Sequence, residues 1–453
     1  MPRLGIVADD LTGATTVGAL LARSGINNVV FFDREHINVE GLSQEAVVVT
    51  SDSRPLAASV AHERVYQATR NLKAQDIQFF SKRIDTTCRG GIGAEVEGML
   101  DALKDSGDER IAIVVPAMPQ SRRIVIGGYS LIDSVLLAKT GVAEDVRTPV
   151  TESYLPKLIG DQIDGKLAHI GIDAVTSGHD DLTAELISAR QAGPKAILID
   201  AVSIEDVALI AECVKDLEWD IVSVDPGPFT QQYMIAQGLG IADDTQPVVD
   251  CSLDAESDGV VLVVAGSATE VTHRQMANLL ERPQSSPLRV SIPSLVQDGD
   301  ALLEEAAKHR KELGELLSKP GYPKVIVLGL ESTLSGNRLD IEALEKDAGL
   351  APGDGAVLIS QRFGELANRI ACDIGPRLSG IYLTGGDVMV ATCSALGASG
   401  LDMVDYVIPQ ADQARLVGGG FDGLPVVCKG GLTGNPDTAI QCVERILREN
   451  RKQ

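Results

Sequence analysis

Short runs of aliphatic and β-branched residues alternate with helical stretches along almost the whole chain, and few architectures accommodate that rhythm. In the first half the runs fall at residues 4–8, 29–32, 46–50, 78–81, 111–115, 169–172, 196–199 and 220–224. Strands separated by helices predict a parallel sheet covered by helices on both faces. The rhythm breaks at residues 243–258, DDTQPVVDCSLDAESD, which is polar, acidic and reads as a linker. It restarts with runs at 259–265, 288–292, 324–328, 379–383, 406–408 and 424–428. The expectation is an α/β protein of two domains, 1–242 and 259–453, each with a mainly parallel sheet flanked by helices. The stretch after Gly128 shows no clean strand periodicity and is expected to be an elaborated connection or lid of the first domain.

A chain of 453 residues is too long for one ordinary core, which agrees with two domains. A net charge of −24 argues against nucleic acid or an anionic membrane surface as partner, because both demand a basic face. Local basic clusters remain, at Lys82, Arg83 and Arg89 and at Arg122 and Arg123; they can still bind a small anion because salt screens the wider field beyond about 10 Å. The 7 cysteines are scattered and form no C-x-x-C pair, as expected of a reducing compartment without structural zinc. Met1 leads into a strand within a few residues, leaving no room for a signal segment. No apolar run approaches the roughly 20 residues needed to span a bilayer. A cytoplasmic enzyme is expected.

In LGIVADDLTGA, residues 4–14, an apolar run ends in two carboxylates, Asp9 and Asp10, followed by a helix start. Ligands of open α/β sheets bind outside the carboxyl ends of strands, so this pair stands where a substrate or metal would be held. One Asp suffices to cap the helix, and the second then needs another explanation. Further strand ends deliver Ser51, Asp52, Ser53 and Arg54, then Lys82, Arg83 and Asp85, to the same edge. Arg54 precedes Pro55 and projects from extended backbone, which makes it a candidate for a substrate carboxylate; an ion pair with Asp52 is the plainer alternative. If the strand continues through Lys82 and Arg83, their side chains leave opposite faces, and Arg83 could then pair with Asp85. RGGIGAE, residues 89–95, reads either as a helix start open to an anion or as a tight glycine turn.

The second half runs three strands into small-residue turns: VVAGS at 263–267, YLTGGD at 382–387 and VVCKGG at 426–431. Glycines after a strand let backbone N–H groups approach phosphate oxygens, and a following helix adds its positive end. Three such turns on one edge, one carrying Lys429, favour a nucleotide polyphosphate site. GLEST, 329–333, adds a fourth strand end with a carboxylate and hydroxyls. No G-x-x-x-x-G-K-[ST] occurs, and the G-x-G-x-x-G at Gly418, Gly420 and Gly423 leads into a strand rather than a helix. The histidines show no metal-ligand spacing, and no G-x-S-x-G elbow is present.

These residues together resemble the four-carbon acid sugar kinase family of threonate and erythronate kinases, over nearly the whole chain. IVADDLTGA, KRIDTTCRGGIGAE (82–95) and PAMP (116–119) are similar to its N-terminal blocks. Gly266-Ser267, Gly385-Gly386-Asp387 and Lys429-Gly430-Gly431 are similar to its C-terminal turns. The chain departs from the pattern at Cys88 and Gly91, at Asp225 to Phe229, at Val388 where a threonine is usual, and at Gly431 to Gly434. The resemblance implies an acid-sugar-binding N-terminal domain, a nucleotide-binding C-terminal domain and an active site in the cleft between them. Substrate contacts would fall on Asp10, Arg54, Lys82, Arg83, Ile84 and Asp85, with Asp10 and Asp9 as the catalytic residues. Nucleotide contacts would fall on Ser267, Gly385, Gly386, Asp387, Lys429 and Gly430. The implied ligands are ATP, Mg²⁺ and a small anionic sugar acid, with a homo-oligomer compatible with the sequence. Two rivals from other classes are a dinucleotide-dependent oxidoreductase, which should open its first helix with a glycine fingerprint that ADDLTGA lacks, and a non-catalytic sugar-acid-binding protein, which would have no use for three phosphate turns.

Overall fold

The computed structural model describes residues 2–33, 37, 42–145, 147–241, 259–297, 300–337, 339–351 and 353–449. The expected linker, 243–258, lies outside the described residues. The chain divides into two compact units, Met1–Asp244 and Thr245–Gln453.

In the first unit the strands are β1 (Leu4–Ala8), β2 (Asn28–Phe31), β3 (Ala46–Thr50), β4 (Phe79–Arg83), β5 (Ile111–Val114), β6 (Arg123–Ile126), β7 (Tyr129–Ile132), β8 (Val135–Leu136), β9 (Leu167–Ile170), β10 (Ala196–Ile199) and β11 (Ile221–Asp225). Eight of them form a parallel series in the order β2-β3-β1-β4-β11-β5-β10-β9. β1 is buried along its whole length, as its unbroken apolar run requires. The register sets Ala8 level with Thr50 and Arg83, so the chain leaves β1, β3 and β4 side by side at one edge. Three helices border that edge: α1 (Leu11–Arg23), α2 (Ala58–Lys73) and α3 (Ile92–Asp105).

β4 extends through Lys82 and Arg83, beyond the expected end at residue 81. Charged side chains can close a buried strand when carboxylates meet them, and both do so here. The stretch after Gly128 is a correction: β6, β7 and β8 form a small antiparallel sheet. Its two hairpin loops, Gly127-Gly128 and Asp133-Ser134, both have positive φ at their two central residues, the geometry that matches strand twist.

The second unit contains β12 (Val260–Ala265), β13 (Ser285–Val290), β14 (Val325–Leu330), β15 (Leu378–Thr384), β16 (Gly400–Ile408), β17 (Ala411–Val417) and β18 (Pro425–Lys429). Their order is β13-β14-β12-β15-β18-β17-β16, parallel from β13 to β18, with β17 antiparallel to both its neighbours. β17 was not expected, and β16 is far longer than the run at 406–408. Both strands interleave polar residues such as Asp402, Asp405, Gln413 and Arg415, so pairing with β18 outweighs their weak apolar signal. One face of the sheet packs Val261, Val263, Val327, Tyr382 and Val427 against Ile440, Val443 and Leu447 of the helix Thr438–Glu449.

The six cysteines among the described residues are free thiols. No described helix is long and apolar enough to cross a membrane.

Candidate active site

The two carboxylates after β1 separate into different tasks. Asp10 is the N-cap of α1, and its Oδ1 accepts from the Gly13 N–H at 2.7 Å. Asp9 is buried, accepting from Arg54 Nε at 2.7 Å and from Arg83 Nη1 at 3.1 Å. Burial pushes the Asp9 carboxyl up, but Arg54, Arg83 and Lys82 outweigh it and hold the group below the ordinary range. Asp9, expected with Asp10 as a catalytic residue, has 1% of its side chain exposed and each of its oxygens on an arginine. Asp10 goes the other way, raised by burial, with Asp9 and Asp85 adding to the shift and Arg54 opposing it.

Arg54 lies among three carboxylates. Its Nη1 meets Asp10 Oδ2 at 2.5 Å and its Nη2 is 3.6 Å from Asp85 Oδ1, so Asp9, Asp10 and Asp85 surround it rather than Asp52. Its fork is thus largely used inside the protein.

Lys82 and Arg83 diverge as strand geometry requires, one toward α3 and the other toward α1. Lys82 Nζ reaches Glu95 Oε2 of α3 at 2.8 Å, both side chains at most 2% exposed, and also donates to the Arg83 carbonyl. Ser53 donates to the other Glu95 oxygen at 2.8 Å. Arg83 meets Asp9 and passes so close to Gly13 that a Cβ there would stand 1.9 Å from Arg83 Nη1. A Gly13→Ala exchange therefore displaces the guanidinium. It should cost about 1–3 kcal/mol of stability, the usual range for overpacking, read as a lower urea midpoint; an unchanged midpoint would mean that Arg83 moves aside freely.

Asp85 does not pair with Arg83. It accepts from Arg89 Nε at 2.7 Å and from Thr87 Oγ1, and against burial Arg54 and Arg89 hold its carboxyl far below the ordinary range. Ile84 is fully buried and its N–H donates to the Asp225 carbonyl, which leaves its side chain without access to a ligand. The expected substrate set is thus gathered at one edge, but Lys82 and Ile84 lie beneath its surface. Of the four carboxylates Asp9, Asp10, Asp85 and Glu95, Asp10 is the most exposed, at 28%. Sequence reasoning grouped Arg89 with Lys82 and Arg83 as a basic cluster but missed Glu95 as a member of this network, although it stands in RGGIGAE. The expected anion-receiving helix start is partly spent internally, since Gln162 accepts from the Gly93 N–H.

In the second unit the three small-residue turns meet. Gly266 N–H donates to Thr384 O, Gly385 N–H to Lys429 O, and Thr269 Oγ1 to Gly431 O. A Cβ on Gly431 would stand 2.3 Å from Ser267 Oγ, so this crossing demands glycine. Gly385, at φ 109°, precedes the helix Gly386–Ala395, whose first turn has no side-chain cap. Lys429 is 1% exposed; its Nζ donates to Gly430 O at 2.7 Å and lies near Thr433 O, with no carboxylate in ion-pair distance among the described residues. Burial pulls its pKa down to about 8.

Residues 4–233 match the model of a sugar-binding N-terminal domain, and residues 262–439 that of a nucleotide-binding C-terminal domain. The chain belongs to the four-carbon acid sugar kinase family. Among relatives in this family, it is 32% identical to a D-erythronate kinase of Heliobacterium modesticaldum, over 99% of this chain and 98% of that one. It is 30% identical to a D-threonate kinase of Bordetella bronchiseptica over the same shares, and 28% identical to a 3-oxo-tetronate kinase of Cupriavidus necator over 90% and 97%. A Salmonella typhimurium crystal structure at 21% identity shares the fold with a TM-score of 0.75, covering 97% of this chain and 98% of that one.

Where this family member departs from the usual pattern, the structure supplies a reason at two positions. Val388 packs on Gly266, where a Cβ would stand 2.2 Å from its methyl group, so an apolar contact takes the place of a hydroxyl. Asp225 accepts from the Gly227 and Phe229 N–H groups and from Thr230 Oγ1, which ties β11 to the helix Pro228–Ala236. Among the described residues no group of three or more His, Cys, Asp or Glu side chains is gathered to hold a metal. A magnesium ion carried on nucleotide phosphates needs only one or two protein carboxylates, and Asp387, exposed at the start of its helix, is an acid at that turn.

Proposed function

We propose that this protein phosphorylates the terminal hydroxyl of a four-carbon sugar acid, of the D-erythronate, D-threonate or 3-oxo-tetronate class, at the expense of ATP. The observation that carries this reading is the contrast between the units. One gathers Asp10 with a bank of paired arginines and carboxylates at a sheet edge; the other gathers glycine turns, a helix start and a lone buried lysine.

Phosphoryl transfer asks the protein for positioning and charge neutralisation more than for covalent chemistry. Asp10 is suited to orient the reacting hydroxyl: Gly13 and Arg54 hold its two oxygens, and its raised pKa moves it toward the range of a useful base. As the hydroxyl oxygen bonds to the γ-phosphorus, the bond to the leaving ADP oxygen breaks and the hydroxyl proton passes to the Asp10 carboxylate. Asp9 and Arg83 keep Arg54 and Asp10 in place. Mg²⁺ on the phosphates, when bound, neutralises charge that develops there.

Lys429 offers a pH test. Its depressed pKa means that between about 8 and 10.5 the folded chain has lost a proton that the unfolded chain keeps, so nucleotide-free stability rises with pH across that window. A bound polyphosphate favours the charged form. Nucleotide binding should therefore take up a proton near pH 8 and weaken about tenfold per pH unit above it, as titration calorimetry in buffers of different ionisation enthalpy would show. A pH-independent affinity from 7 to 9.5 would remove Lys429 from the phosphate site.

The deciding experiment is an ADP-release assay with Mg²⁺-ATP across D-erythronate, D-threonate, their L-isomers and 3-oxo-tetronate. Strong turnover with one acid is expected. Silence with all of them, together with no ATP binding, would overturn the reading.

A further inference from the structure

We propose that Arg123 is the residue that grips the carboxylate of the sugar acid. This rests on the sugar-acid kinase reading and goes beyond it, because that reading leaves the substrate's charged end without a receptor: Arg54, the candidate from sequence, already has its Nε and Nη1 on Asp9 and Asp10.

The chain presents Arg123 through a tight turn at the same sheet edge. After β5 it passes through the short 3₁₀ turn Pro119–Ser121, and paired hydrogen bonds join Met118 N–H to Arg123 O (2.8 Å) and Arg123 N–H to Met118 O (3.2 Å). Between them Arg122 adopts φ 59°, a left-handed conformation that non-glycine residues seldom take. Arg122 points outward, 78% exposed, and pairs with Asp133. Arg123 is half-buried, and its partners are few: Nη1 donates to the Ser121 carbonyl at 2.7 Å, Nε is buried with no hydrogen-bond partner, and no carboxylate lies in ion-pair distance among the described residues.

That sets Arg123 apart from the other cations of this edge. Arg54, Lys82, Arg83 and Arg89 each have a carboxylate within 3.1 Å or less. A guanidinium removed from water without a counter-charge is costly, and burial indeed pulls the Arg123 pKa down, opposed by Asp85 and Asp133 while Arg89 adds to the fall. An anionic ligand would supply the missing counter-charge, and the planar fork matches a carboxylate on two bonds. Arg123 is also linked to the rest of this edge. Asp10 meets Arg54, Arg54 approaches Asp85, Asp85 holds Arg89, and Arg123 lies in the field of Asp85 and Arg89. A sugar acid held at this edge would turn its terminal hydroxyl toward Asp10 and its carboxylate toward Arg123.

The test compares each preferred acid with the matching neutral tetritol, which keeps the hydroxyls and lacks the carboxylate. In the full chain, Arg123→Gln should raise KM for the acid by about 30-fold or more, leave KM for ATP unchanged, and collapse the acid-over-tetritol preference in kcat/KM. Arg123→Lys, which keeps the charge and loses the fork, should fall between the two. A merely structural role would lower the thermal midpoint and leave the acid-over-tetritol ratio as it is. An unchanged ratio in both variants overturns the assignment. Wild-type chain that turns over none of the acids would instead overturn the kinase reading itself, so the two failures are distinguishable.

Discussion

Asp10→Asn should lower turnover by about two to four orders of magnitude, the range expected when a positioned general base is lost. The exchange keeps the helix cap and the size of the side chain, but sets an amide NH2 where Arg54 Nη1 met a carboxylate oxygen. Asn caps a helix as well as Asp does, so the bond from Gly13 and the start of α1 survive. Shape is kept, and Asp9 continues to hold Arg54 and Arg83. What disappears is the negative charge, the proton acceptor and the partner of Arg54 Nη1, at the most exposed of the four carboxylates Asp9, Asp10, Asp85 and Glu95. Nucleotide affinity should stay as it was, since the glycine turns and Lys429 belong to the other unit. The pH profile should change in a defined sense: wild-type activity falls on the acid side as the raised Asp10 carboxyl is protonated, at higher pH than an ordinary aspartate would give, and the variant's residual activity lacks that limb. Turnover equal to wild type would end Asp10's role as base.

Glu95→Ala should be the most destabilising single exchange at this edge. Lys82 and Glu95 lie fully inside the unit, and removing the carboxylate leaves an ammonium with only the Arg83 carbonyl. Breaking a buried pair from one side costs about 3–5 kcal/mol, whereas replacing both partners by apolar side chains of similar volume is often neutral. The double exchange Lys82→Met with Glu95→Leu should thus recover most of the loss in urea denaturation of the full chain. If the single exchange costs less than about 1 kcal/mol, the pair is not what fastens β4 to α3. Ser53 makes the effect local to the site, because losing Glu95 leaves the hydroxyl of the loop carrying Arg54 with only its contact to Ser51.

The sites were legible in unequal measure. Asp10, Arg54, Arg83 and Asp85 could be placed on one edge because parallel strands point their carboxyl ends the same way, and β1, β3 and β4 do end level. Ile84 came with its neighbours in a motif and proves to be core. The hairpins of β6 to β8 carry the two-residue turn signals Gly-Gly and Asp-Ser, but their strands are short and partly exposed, so the apolar runs beside the turns are weak. β17 was not readable, because its polar residues take their places only against β16 and β18.

By itself the sequence determined the rhythm of strands and helices, the two-unit plan, and which residue types arrive at each sheet edge. Those follow from side-chain periodicity and from the fixed hand and direction of parallel strands. Only the tertiary structure decided the partners. Arg54 meets Asp9 across 45 residues, Arg83 meets it across 74, and Lys82 finds Glu95 rather than the nearer Asp85. Ion-pair choice depends on separation and burial in space, which spacing along the chain does not encode. The same applies to what is left over: that half-buried Arg123 and buried Lys429 have no carboxylate in ion-pair distance among the described residues is a property of the folded arrangement alone.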